Sequence, residues 1–402
     1  MEKMKEDRHY QKYLVSLLQD PMLFRNCTEL ALDSFIAGEE DARGVIFLTA
    51  IGSLVENANH TSFNLLVNSK SGAGKDHTVS TVMKVLPKYI VEKRTRISPT
   101  VLTYWHNATF EPEWTWQGKV LYLEDVSNSV LNSPVFKVFS SGGSFATIVK
   151  DQKAVDIEIK GKPSIIITSA SADPEPELVR RFLVVNLTET SEQTQAIMEK
   201  WADMAVHGGY PMEDNCIKDH KEALKLLKSY KVKIPFGKNI PQFLPKEHLI
   251  ARTMLPRFAD YIKASAILHQ YAREKDVDEF IIAEKQDYET ARKVILATSC
   301  NNKLIPLTQS QQDLVSTMKQ LGKCVEGEGL NEKERGWTIA ELVSKVHCIG
   351  RTQLYSQLHK LAEQGFLEKD SFKGDYDRKP SLTFAYKEQI PLELPRWKEL
   401  IQ

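Results

Sequence analysis

The stretch FNLLVNSKSGAGKDHTVSTVMKVL, residues 63–86, constrains this chain more than any other. An apolar strand over Phe63–Val67 runs into a loop with Gly72, Gly74 and Lys75, and a helix follows. A helix N-terminus offers unpaired N–H groups and partial positive charge. Glycines let the backbone curl around a phosphate, and a lysine ammonium reaches its oxygens. Ser71, Gly72, Ala73, Gly74, Lys75, Asp76 and His77 are therefore the expected nucleotide contacts. The strict pattern G-x-x-x-x-G-K-[ST] is broken twice, by Ser69 at the first glycine and by Asp76 where Ser or Thr would bind Mg²⁺. A carboxylate is itself a hard oxygen donor, able to take the metal directly or through water. The plainer alternative is a tight strand-to-helix turn.

The rest of the chain narrows the class. At 402 residues two to three domains are expected. Lys+Arg and Asp+Glu are equal at 53 each, which excludes a uniformly basic chromatin-type binder and leaves any nucleic-acid contact to local patches. No apolar run reaches the length of a membrane span, the opening MEKMKEDRHYQKY lacks the apolar core of a secretory signal, and the five cysteines are scattered. A reduced, cytoplasmic protein is expected. Residues 1–60 read as a helical segment, 61–190 as an α/β core, 191–305 as a second helical region and 306–402 as a helix-then-β tail. The runs FNLLV, KVLYL, SIIIT and FLVVNL suit a buried, largely parallel sheet covered by helices.

Phosphoanhydride chemistry also needs acids at the end of a buried strand. KVLYLED supplies Glu124 and Asp125. One carboxylate would hold the Mg²⁺ water shell, and the other would orient the attacking water. A solvated strand end would look the same without the loop. A third strand, Ser164–Ser169, ends in Thr168 and Ser169, either a phosphate sensor or a polar strand cap. Arg180 and Arg181 precede the next apolar strand. A guanidinium there would stabilise charge on a transferring phosphoryl group; otherwise the two form a surface pair.

The order GAGK, LYLED, a β-hairpin, IIITS and RRF resembles the AAA+ motors of superfamily 3 and the minichromosome-maintenance helicases. It is especially similar to the helicase domains of phage- and plasmid-borne primase-helicases, over roughly Gln11 to Val294. The resemblance implies an α/β AAA+ P-loop NTPase core with helical N-terminal and lid segments. It implies ATP and Mg²⁺ as cofactors and Arg181 as an arginine finger; the metal is expected on Glu124 and on Asp76, which with Ser69 departs from the family pattern. Arg252, ahead of IKASAILHQYARE, would be a second sensor, with Arg257 as the alternative, and Thr168 or Ser169 would sense the γ-phosphate. The Glu-Asp order and Thr168/Ser169, where relatives often carry Asn, are departures.

Two segments carry the expected DNA contacts. SFATIVKDQKAVDIEIKGKP reads as a hairpin around Asp151-Gln152, with Lys150 and Lys153 near the tip. In the resembling helicases such a hairpin grips DNA phosphates in the ring channel, where a sequence-independent contact suits a motor. The tail reads as a C-terminal winged-helix domain, with Arg351 and Lys360 on the recognition helix and Arg378 and Lys379 in the wing. Acidic Glu368, Asp370, Asp375 and Asp377 interleave with that wing, and a protein-binding winged helix would look alike. The expectation is an ATP-dependent, ring-forming DNA helicase, a hexamer, serving replication of a mobile genetic element. The competitors are an ATP-switched DNA-binding initiator without processive unwinding and a small-molecule kinase.

Overall fold

The computed structural model describes residues 2–69, 72–98, 101–105, 114–142, 145–150, 153–169, 181–209, 215–244, 251–298, 307, 309–326, 333–346, 350–363, 366–373, 379–387 and 394–401. Two compact units divide the chain: residues 1–299 with 393–402, and residues 300–392.

A five-stranded sheet organises the first unit. Its strands are β1 (Asn64–Asn68), β2 (Val91–Arg94), β3 (Val120–Leu123), β6 (Ser164–Ser169) and β7 (Leu183–Asn186). They lie in the order β2-β3-β6-β1-β7, every neighbouring pair parallel. β1, β3 and β6 are buried along their whole length, as continuous apolar runs between two helical layers must be. Because all strands run the same way, the loops after β1, β3, β6 and β7 emerge at one edge. The turns leading into the strands lie at the other. β6 lies between β1 and β3, so its last residues stand between the glycine-lysine loop and the acid pair.

The helix Glu40–Ile51 is buried from Ala42 onward, apolar nearly all round, and packs against β6 and the helices Ala251–Leu268 and Lys285–Thr298. Trp105 and Trp116 meet in the core with ring centroids 4.9 Å apart and planes tilted by 47°. The hairpin expected around residues 151–152 is present. β4 (Phe145–Lys150) and β5 (Lys153–Glu158) pair antiparallel with Lys150 opposite Lys153. Its turn lies outside the described residues.

The described residues of 191–298 form the helices Ser191–Val206, Asn215–Leu224, Ala251–Leu268 and Lys285–Thr298, with a two-residue parallel pair, β8 (Val232–Lys233) with β9 (Ile281–Ile282). The chain end also returns here. Tyr288 Oη donates to Pro395 O at 2.7 Å, and Trp397 meets Phe236 edge-on at 4.8 Å. The last residues of the 306–402 span thus pack with the first unit.

The second unit has its own core, built on Leu314, Met318, Leu342, Leu354, Leu358 and Phe384. Helices Gln309–Leu321, Ile339–Lys345 and Arg351–Glu363 accompany two small sheets. One pairs β10 (Cys324–Glu326) with β11 (Lys333–Arg335), a hairpin absent from the sequence reading. The other orders β12 (Trp337–Thr338), β14 (Ser381–Tyr386) and β13 (Leu367–Phe372) as β12-β14-β13. A capping box of Thr338 and Glu341 starts the second helix, and Arg335 grips Glu341 at 2.7 and 3.0 Å. Among the described residues no helix is long and apolar enough to cross a membrane.

Candidate functional site

The described part of the loop after β1 has left-handed backbone at both of its glycines. Gly72 and Gly74 sit at φ +88° and +84°, and a Cβ at either would meet no atom within 4 Å. The glycines are thus required by backbone conformation and not by lack of space. Gly74 caps the helix Lys75–Val82, whose first residue, Lys75, is buried. Lys75 Nζ stands 3.9 Å from Asp76 Oδ2, so the carboxylate beside the loop is partly neutralised by its own neighbour.

Asp76 also ties the loop to the two strands alongside. Thr168 Oγ1 donates a short hydrogen bond to Asp76 Oδ1, and the backbone N–H of Asp125 donates to Thr168 Oγ1 at 3.0 Å. Ser169 faces elsewhere, donating to Val126 O at 3.4 Å. Thr168 is thus the member of that pair in contact with the loop. Asp125 adopts φ +46°, a left-handed conformation unusual for a residue with a side chain. Glu124 is held from three sides: Lys93 Nζ lies 2.5 Å from Oε1, Ser80 Oγ 3.2 Å and Tyr122 Oη 3.3 Å. Burial raises the Tyr122 phenol well above its ordinary pKa, so it stays protonated and donates to Glu124.

Hard oxygen donors from Asp76, Glu124, Asp125 and Thr168 suit Mg²⁺. Among the described residues no group of three or more His, Cys, Asp or Glu could hold a metal.

Beside Gly72 and Gly74 opens a cleft of about 240 Å³, walled by Phe35, Ile36, Ile197, Trp201 and Met204. Gln193 lines it too, donating to Ala37 O at 2.7 Å. His77 turns toward this side, with Nε2 3.1 Å from Phe35 O, and not toward the loop. The sequence reading missed these wall residues. Phe35 and Trp201 come from segments far apart in the chain, and neither carries a motif.

Residues 40–228 match the family model described as the MTBMA_p00010 P-loop domain. This is a P-loop NTPase core. No curated protein matches the chain. The matched span takes in the whole sheet, the loop and the helix Glu40–Ile51. It leaves out Phe35 and Ile36 of the cleft, the helix Ala251–Leu268 and the second unit.

Arg181 and Arg252 of the first unit do not join the P-loop edge. Arg181 lies just ahead of β7, at the opposite end of the sheet from Lys75. Its Nη1 donates to Lys137 O at 2.7 Å. Arg252 is exposed on the first turn of the helix Ala251–Leu268. Eight residues on, Asp260 accepts from Ser62 at 2.6 Å, just before β1. The middle of that helix is therefore fixed at the far end of β1 from the P-loop. Arg257 is buried, and desolvation lowers its pKa to about 10 against the pull of Tyr261 and Asp260. Lys153 is exposed on the hairpin, as are Arg351 and Lys379 in the second unit, while Lys360 is half-buried. Ser71, Arg180, Arg378 and the Lys150 side chain lie outside the described residues.

Proposed function

We propose that this chain is an ATP-dependent DNA helicase that works as a ring, a hexamer, with ATP held between neighbouring copies. One observation carries the reading. Lys75, Asp76, Thr168, Glu124 and Asp125 converge on one edge of the sheet, while Arg181 lies at the other. An arginine so placed cannot serve its own P-loop, but the same edge of a second copy can face it.

The chemistry follows from these positions. Lys75 and the N–H groups of the loop bind the phosphates, and the apolar cleft beside Gly72 takes the nucleobase. Mg²⁺, when bound, neutralises phosphate charge, and Asp76 and Glu124 are the residues that would hold it. Glu124 and Asp125 divide water orientation and support of the metal's water shell between them. Thr168 reports on the terminal phosphate through Asp76. Arg181 of a neighbouring copy withdraws from Lys137 O and stabilises charge on the transferring group. Arg252 contributes only as a sensor toward a neighbouring copy.

Lys150 and Lys153 on the β4–β5 hairpin grip the phosphates of a single strand without reading sequence. The three helices and β12-β14-β13 sheet of the second unit support a winged helix. Exposed Arg351 on the helix Arg351–Glu363 and exposed Lys379 ahead of β14 would meet duplex phosphates, and Lys360 and Arg378 are assigned to the same contact. Cytoplasmic replication of a mobile element is the setting this reading implies.

ATP hydrolysis with and without single-stranded DNA, paired with native mass in ATP, tests the reading. DNA-stimulated hydrolysis by a multimer, with strand displacement on a forked duplex, is expected. Stable footprinting at one site without displacement would instead mark a nucleotide-switched binder. A strict monomer that leaves ATP uncleaved would end both readings.

A further inference from the structure

The edge of the sheet away from the P-loop contains an arrangement the proposed reaction has not used. Asn64, the first residue of β1, is completely buried in a strand otherwise rich in Leu and Val. A buried amide is tolerated only when its polar atoms are satisfied, and here every one has a partner. Nδ2 donates to Ser140 O at 2.8 Å and to Arg181 O at 3.0 Å, while Oδ1 accepts from Lys162 Nζ at 2.8 Å.

Each partner belongs to a different element. Lys162 lies four residues past the end of β5, at the stem of the hairpin. Ser140 ends the helix Pro134–Ser140, and Lys137 of the same helix accepts the Arg181 guanidinium at 2.7 Å. Asn64, Ser140, Lys137 and Arg181 thus close a circuit, and the hairpin stem joins it at one atom. Further along the same strand stands the P-loop.

Lys162 argues that the junction is more than filler. Among the described residues the half-buried ammonium meets neutral acceptors, Asn64 Oδ1 and Pro163 O at 3.0 Å, and desolvation lowers its pKa to about 7. A scaffold alone would be better served by an apolar side chain.

We propose that Asn64 is a positioning residue that links the stem of the β4–β5 hairpin to the turn carrying Arg181, so that hairpin movement and arginine release are coupled. This inference rests on the helicase reading above. In the resting circuit Arg181 is held back on Lys137 O. Displacing the stem pulls on Asn64, loosens the Arg181 carbonyl and frees the turn.

Lys162→Met in the full chain tests the link. It removes the hairpin branch while leaving both amide donations in place, and a half-buried methionine side chain is tolerated at that position. Basal ATP hydrolysis is expected to stay within about twofold of wild type, while stimulation by an oligothymidylate falls about fivefold or more. Asn64→Asp keeps the Lys162 branch but turns a carboxylate toward two carbonyls, and is expected to lower basal and stimulated rates together. Combining the two should cost no more stimulation than the worse single variant. A second readout needs no DNA. Amide exchange across 145–158 should respond to a non-hydrolysable ATP analogue in wild type and not in Lys162→Met. Wild-type stimulation and wild-type exchange in Lys162→Met would overturn the link and leave the helicase reading standing. A wild-type protein that DNA does not stimulate would instead remove the reading on which the link rests.

Discussion

The two edges of the parallel sheet solve opposite electrostatic problems. At the P-loop edge charges are held by other charges, each pair joining a covered group to an exposed one, Lys75 to Asp76 and Glu124 to Lys93. At the far edge a lysine and an arginine are tied to neutral oxygens, those of Asn64 and Lys137. A pair with one exposed partner is exchangeable on that side, so a nucleotide can displace Asp76 or Lys93 from it. Neutral acceptors around a half-buried cation fix position instead of charge. One edge is arranged for chemistry and the other for geometry.

That contrast breaks most visibly at Arg181. Arg181→Ala should lower hydrolysis by about 10³-fold in the assembled protein while leaving nucleotide binding in place. Mixing Arg181→Ala with Lys75→Ala subunits should partly restore activity, since some mixed interfaces then contain both groups. No recovery at any ratio would place the arginine outside the reaction. Glu124→Gln should cost about 10²-fold in turnover with ATP still bound, as read by single-turnover phosphate release.

Asp76→Ser is expected to leave turnover equal to wild type or somewhat higher, since a hydroxyl can replace the carboxylate at the metal and removes negative charge beside the phosphates. An inactive variant would assign the Asp76–Thr168 bond a role beyond metal support. The smallest effect concerns stability. Lys162 has a folded-state pKa near 7, below its unfolded value of about 10.4, so the unfolded chain binds more protons between them. Unfolding free energy should therefore rise from pH 7 toward pH 10 through this group. Chemical denaturation of Lys162→Met should show that part of the slope removed. An identical slope in both proteins would mean the amine is solvated.

Much of the P-loop edge is legible in the chain because its parts are local. Gly72, Gly74 and Lys75 form one turn, and Glu124 with Asp125 follows one apolar strand, so spacing alone proposes both. Thr168 is also visible, as the polar end of SIIITS, but its choice over Ser169 depends on which side of a strand faces Asp76. The far edge is nearly silent. Asn64 reads as an ordinary strand residue, and Lys162 as one lysine of a hairpin stem. Their meaning arises only when segments about a hundred residues apart meet. The cleft wall is hidden for the same reason. Phe35 and Trp201 are apolar residues on two helical stretches until the fold turns both toward Gly72. In the second unit, the helix-then-β order is readable because its elements follow one another, whereas β10 and β11 are too short to announce themselves.

The φ of +46° at Asp125 also constrains which sequences this architecture can accept. Glycine enters that region freely, and Asp and Asn enter more easily than other residues, whereas a β-branched side chain there is strained. Homologues that keep the turn are thereby confined to a short alphabet at position 125, even where the acid itself has become dispensable. An Ile or Val aligned there would signal a rebuilt strand end, and with it a catalytic edge assembled by some other route.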